Sequence, residues 1–232
     1  MAGKSSKMPI EAHTVEAHIS PSRQPTRVQK KEATRQQIIA ATIDVIAEGG
    51  LADLTLAKIT DKAAVSRGLV NFHFDNKEHL LVETLEFMMH EYLQSWRDAI
   101  ANAGPAAADR LLALVESDFR PSICNRQKAA VWFAFRGESK SRPTYVDVCT
   151  RADLEYDQSM RAILEDINAE GKYGLPIGPL TSGLQSMTEG FWLDCLMYPA
   201  SFDREAALGV IKLFLSRLMP KHFGKKGIGN RE

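Results

Sequence analysis

Residues 55–77 read TLAKITDKAAVSRGLVNFHFDNK, and the reading of the whole chain turns on them. Thr55 has the short acceptor side chain that caps a helix N-terminus, and Leu56, Ile59 and Ala63 fall on one face of the helix it would start. Ala64 and Val65 stand at a turn, and Ser66 can cap a second helix from about Arg67 to Phe74. A helix that short is not stable alone, because nucleation is costly. Neighbours must hold one face and leave the other free to present side chains. This is the layout of a helix-turn-helix, whose second helix enters the DNA major groove. The free amides at a cap such as Ser66 also suit a phosphate.

Working outward, Ile39, Ile43 and Ile46 recur at helical spacing, widened by Ile38 and Val45, and predict a helix from Lys31 to Glu48 that Gly49 and Gly50 stop. On the other side, Leu80, Leu81, Leu85, Met88 and Tyr92 predict a helix of about 25 residues from Asn76. At 1.5 Å per residue it outspans a small domain, so it links two parts of the molecule. Further helices are expected over about 105–119, with Pro105 in the first turn, 125–140, 143–170, 179–198 and 203–219, the last capped by Asp203. No stretch alternates with period two for long, so the fold class is all-α. The expected domains are a disordered basic arm (1–30), a helix-turn-helix domain (31–78), a helical ligand and dimer domain (79–222) and a flexible tail (223–232). Leu208, Ile211, Leu215 and Leu218 form one stripe, and Leu184, Met187, Phe191 and Cys195 another; these are expected to pair across a two-fold axis as a four-helix bundle.

Composition agrees. A chain of 232 residues with 44% hydrophobic content can bury a sizeable core in one or two units. It has no apolar run long enough to span a membrane and no secretory h-region, so a cytoplasmic location is expected. Cys124, Cys149 and Cys195 are far apart, with no CxxC, and read as free buried thiols. The formal net charge is zero but unevenly spread: residues 1–77 hold 11 Lys/Arg against 8 Asp/Glu, the remainder 18 against 21. A basic first part suits DNA. Arg23, Arg27, Lys30, Lys31 and Arg35, set against Glu32, read either as a solvated tail or as an arm on phosphates or in a minor groove.

AAVSRGLVNFHFDNKEHLL resembles the helix-turn-helix signature of TetR-family repressors, commonly AGVSxGTLYxYFxxKExLL. Val65, Ser66, Gly68, Phe74, Lys77, Leu80 and Leu81 match; Ala64, Leu69 and Asn71 depart from the usual Gly, Thr and Tyr. The resemblance implies that Thr55, Asn71, His73 and Lys77 touch phosphates and that Arg67, Gly68, Leu69 and Phe72 lie where the groove is read. It also implies a homodimer on a palindromic operator.

Farther along, AVWFAFRGESKSRP and EGFWLDCLMYPASFDREAALGVIKLFL resemble the BetI group of that family, which implies a repressor of choline-to-betaine genes that answers to choline. A quaternary ammonium donates no hydrogen bond and is held by aromatic faces and a carboxylate. Trp132 with Phe135 and Glu189 with Trp192 are three apart on their helices, and Tyr198 follows. These five are the expected ligand residues, although aromatics at helical spacing also serve as core. No HExxH, GxSxG, P-loop or GxGxxG occurs, so neither catalysis, cofactor nor metal is expected. A TetR-type regulator of another small-molecule pathway or an efflux gene, and a helical adaptor that no longer binds DNA, are the alternatives.

Overall fold

The computed structural model describes residues 26–224. The expectations of a disordered arm over 1–25, Arg23 included, and of a flexible tail from 225 lie outside the described residues. Ten α-helices and one 3-10 turn follow in order, with no strand among the described residues: α1 Arg27–Gly49, α2 Leu56–Ala63, α3 Arg67–His73, α4 Lys77–Ala101, α5 Ala107–Asp118, α6 Arg126–Glu138, the turn Ser139–Ser141, α7 Pro143–Gly171, α8 Ile177–Met197, α9 Arg204–Leu218 and α10 Pro220–Phe223.

The chain ends differ from the sequence-based reading. Helix α1 starts at Arg27 rather than Lys31, so 26–30 are not an unstructured arm. Thr26 and Gln29 form a reciprocal capping box, with Gln29 N donating to Thr26 Oγ1 at 3.2 Å and Thr26 N donating to Gln29 Oε1 at 2.8 Å. At the other end, α10 docks on the end of α7. Lys221 Nζ donates to Gly171 O at 2.5 Å, and Met219 and Phe223 are buried, so Phe223 belongs to the core rather than to the tail. Pro105 lies before its helix, which Ala106 begins as N-cap, rather than in the first turn.

The core crosses the boundary expected at residue 78. Ile38, Ile39, Ile46, Ile59, Val70 and Phe74 of α1–α3 and the following residue join Leu85 and Met88 of α4, then Val131, Trp132 and Phe135 of α6. A second cluster lies among α4, α5 and α7–α10, and Trp192 packs on both. Within it Ile211, Leu215, Leu184 and Cys195 are buried. The two stripes expected at a dimer face therefore point inward, because α9 needs an apolar face to pack on its own protomer. The outward face of α8 and α9 instead carries the exposed Leu193, Met197, Val210 and Leu213. All three cysteines are free and buried.

Candidate DNA interface and ligand cavity

The helix-turn-helix is built from local caps. Thr55 Oγ1 accepts from Lys58 N at 3.3 Å, and Ser66 Oγ accepts from Leu69 N at 3.2 Å. Between them Ala64 takes a left-handed backbone, φ 50°, to end α2. A side chain there is strained, which explains why glycine is the usual residue. Val70 and Phe74 anchor α3 in the core while Arg67, Gly68, Asn71 and Phe72 stand exposed, Phe72 at 64%. Leu69 is half-buried. So is His73, whose buried Nδ1 has no partner among the described residues and whose pKa is lowered by burial and by Lys31 and Arg35. Lys77 is exposed at the start of α4, and its Nζ donates to Leu54 O at 2.6 Å, so it also ties α4 to the turn before α2.

Beside this face, the first turns of α1 protrude. Arg27, Lys30 and Lys31 are exposed, and Lys31 Nζ lies 5.3 Å from the centre of the Phe72 ring. A basic extension thus flanks the exposed face of α3.

A cavity of about 510 Å³ opens among α4–α8. At its inner end Asp118 is fully buried at the end of α5. Its carboxylate accepts from Tyr92 Oη of α4 at 3.1 Å and from Tyr156 Oη of α7, and its backbone carbonyl accepts from Trp192 Nε1 of α8 at 3.0 Å. Burial pushes the carboxyl up to about 7 against the two phenol hydrogen bonds, and burial likewise holds both phenols well above their ordinary value. No ion pair to Asp118 exists among the described residues. Tyr92 stacks on Tyr156 at 5.8 Å and meets Trp192 edge-on at 5.7 Å, and Trp132 meets Trp192 at 6.3 Å. Trp132 Nε1 is buried without a partner among the described residues. Toward the mouth, Arg136 of α6 pairs with Asp153 of α7 and Glu189 of α8, and Thr150, Ser182 and Gln185 add hydroxyls and an amide. Burial raises the Asp153 carboxyl, opposed by Arg136.

Of the five expected ligand residues, Trp132, Glu189 and Trp192 line this cavity. Phe135 does not: it is 0% exposed, one residue on from the lining face of α6, and packs edge-on against Tyr145 at 5.0 Å. Tyr198 does not either: it is 61% exposed just past the end of α8, beside Phe202 and Val210. Sequence reasoning missed Asp118, Tyr156, Asp153 and Arg136, and took Tyr92 for plain core. Among the described residues no group of His, Cys, Asp and Glu is arranged to hold a metal, and no helix is long and apolar enough to cross a membrane.

Comparison with known proteins agrees with this architecture. The family model for bacterial regulatory proteins of the tetR family matches residues 38–84, and that for the BetI-type transcriptional repressor C-terminal domain matches residues 107–220. The HTH-type transcriptional regulator BetI of Paraburkholderia phymatum is 29% identical over 198 residues, covering 83% of this chain and 96% of that protein. BetI of Burkholderia thailandensis is 28% identical over 192 residues, covering 82% and 95%. Among solved structures, a transcriptional regulator from Pseudomonas aeruginosa PAO1 superposes with a TM-score of 0.72 at 25% identity, over 83% of this chain and 93% of that one. A transcriptional regulator from Saccharomonospora viridis, solved in complex with choline, superposes at 0.69 with 19% identity, over 80% and 96%. These families are transcriptional regulators, not enzymes. The chain belongs to the TetR family and is a transcriptional repressor of the TetR/BetI type.

Proposed function

We propose that this TetR-family repressor binds a palindromic operator as a homodimer and is released from it by an ammonium cation without N–H donors, choline or a close relative, held at Asp118. One observation carries the ligand class: a fully buried carboxylate with no ion-pair partner among the described residues, set among the rings of Tyr92, Trp132, Tyr156 and Trp192. A buried charge without a counter-ion is costly, and a cation that aromatic faces also hold offsets that cost. The BetI names of the relatives and the choline complex of the Saccharomonospora viridis regulator support the same class. Trp132, Trp192 and Glu189, which line the cavity, are proposed to meet the ligand, whereas Phe135 and Tyr198 serve packing and surface.

On DNA, Thr55, Ser66, Asn71, His73 and Lys77 face phosphates, and Arg67, Gly68, Leu69 and Phe72 face the groove, with α1's basic extension beside them. The reading domain spans 31–78 and the ligand and dimer domain 79–222. Leu193, Met197, Val210 and Leu213 pair with their copies across the two-fold axis, which makes the partner of this face a second chain. An operator-binding protein of this kind acts in the cytoplasm.

Calorimetric titration with choline, betaine aldehyde, glycine betaine and unrelated cations, run beside operator release, tests the reading. Choline binding with a weakened operator complex is expected. Binding only to an uncharged or anionic compound sinks the cation and favours a regulator of another pathway or an efflux gene.

A further inference from the structure

The cavity already holds a cation of its own. The guanidinium carbon of Arg136 sits 4.5 Å from the centre of the Trp132 ring. Nη2 donates to Asp153 Oδ1 and Oδ2 at 3.1 and 2.9 Å and lies 3.1 Å from Glu189 Oε1. An aromatic face and two carboxylates are the groups an entering ammonium seeks. Arg136 Nε, by contrast, is buried without a partner among the described residues. The guanidinium is therefore held on one side only, unlike a fork-to-fork arginine clamp, and a competitor can dislodge it.

We propose that Arg136 is the resident cation of the cavity, that ligand binding is an exchange of cations in which the incoming ammonium displaces the guanidinium, and that this exchange is the step that reaches the DNA-binding unit. The proposal deepens the cation reading above and rests on it.

The route follows from where Arg136 is rooted. It fastens α6 to α7 through Asp153 and to α8 through Glu189. The opposite side of α6 belongs to the DNA-binding unit: α6 packs along α1, Val131 and Phe135 share a core with Ile38 and Ile46, and Gln127 donates to Asp44 of α1. Freeing the arginine releases α6 from the ligand domain while its grip on α1 persists. The helix that supports α2 and α3 then moves with it. A ligand shifts the equilibrium only by what it gains in one state over the other, and here the gain for a cation at Asp118 is the Trp132 face vacated by Arg136, with Asp153 and Glu189 left as uncompensated charge beside it.

The test measures choline affinity and operator affinity, with and without choline, for the wild type, Arg136→Met and Arg136→Lys, together with amide hydrogen exchange over 126–138 in the wild-type dimer. Without its resident cation, Arg136→Met should bind choline about tenfold more tightly, because Asp153 and Glu189 are left uncompensated. It should bind operator more weakly without choline and respond little when choline is added, and Arg136→Lys should lie between. In the wild type, choline should speed exchange over 126–138. Loss of choline binding in Arg136→Met overturns the proposal, since the arginine then supports the ligand. Unchanged affinities overturn it too, and so does slower exchange over α6, which means that choline adds without displacing anything. If Arg136→Met does not fold, the wild-type exchange result decides alone. A wild type that binds neither choline nor tetramethylammonium removes the cation reading and this exchange together, whereas wild-type binding with any of the contrary results removes the exchange only.

Discussion

In the helix-turn-helix unit, polar side chains answer to their nearest neighbours: Thr55, Ser66 and Asn76 each cap a backbone amide three residues on. In the cavity they answer across the fold. Asp118 is reached by Tyr92 from 26 residues away, by Tyr156 from 38 and by Trp192 from 74. A surface that reads a polymer has to present side chains to water on a backbone that local rules fix. A cavity that takes a cation must first exclude water, and only tertiary packing does that. The first kind of site tolerates small perturbations; the second puts a charge where water cannot screen it.

The comparison breaks most clearly at Asp118. Asp118→Asn keeps an oxygen to accept from one of the two phenols, turns an amide N–H toward the other, whose oxygen can accept it, and removes the charge. It should weaken cation binding at least about a hundredfold, as loss of a desolvated charge partner does, while leaving ligand-free operator affinity intact. The carboxyl is raised by burial, so its contribution to stability is present below the ordinary carboxylate pKa and is lost as pH rises through about 7. Asp118→Asn should therefore stabilise the ligand-free chain at pH 8, by about 1–3 kcal/mol. Calorimetry and thermal melts check both outcomes, and an unchanged choline affinity would refute the site.

Next in size is a pH effect on the unmodified protein. If Asp118 holds the cation, protons compete with it there, so choline affinity should fall by about thirtyfold from pH 8 to pH 5.5, and binding near pH 7 should release protons into the buffer. Operator affinity without ligand should not follow that curve. On the DNA side, Arg67→Ala should cost about 1–3 kcal/mol and relax one base position, read from binding to a panel of operator variants; an unaltered base preference would place Arg67 outside the groove. The smallest change is Ala64→Gly. Relief of the left-handed backbone at φ 50° should stabilise the chain by up to about 1 kcal/mol, seen as a raised melting temperature with ligand affinity untouched.

These contrasts also explain what the sequence disclosed. The caps Thr55 and Ser66, the stops at Gly49 and Gly50 and the apolar spacing of α1–α4 are local signals, and the helices stand within a few residues of their expected places. Thr26 with Gln29 is an equally local signal, but it lies in a polar stretch that reads as disordered. The cavity was less legible because periodicity gives a face and not a depth. Their spacing puts Trp132 and Phe135 on one face, yet one meets the cavity and the other the core behind it. The stripes of α8 and α9 are legible, but the expectation that they face a partner fails, because each packs on its own protomer. Asp118 left a trace: with Leu111, Leu114 and Val115 it falls on the buried stripe of α5, and a carboxylate on an apolar stripe is a reason to look for what it serves.

The placing of the aromatic side chains has an optical consequence. No tryptophan or tyrosine precedes Tyr92 in the sequence. Of the three tryptophans, Trp132 and Trp192 line the cavity and Trp96 meets Tyr156 edge-on at 5.9 Å. Intrinsic emission therefore comes from the ligand half alone. Indole fluorescence follows what enters the cavity, with the operator present or absent, and is blind to fraying of the reading helix. The two halves can thus be followed as separate channels, light from one and amide exchange from the other, in a single unlabelled molecule.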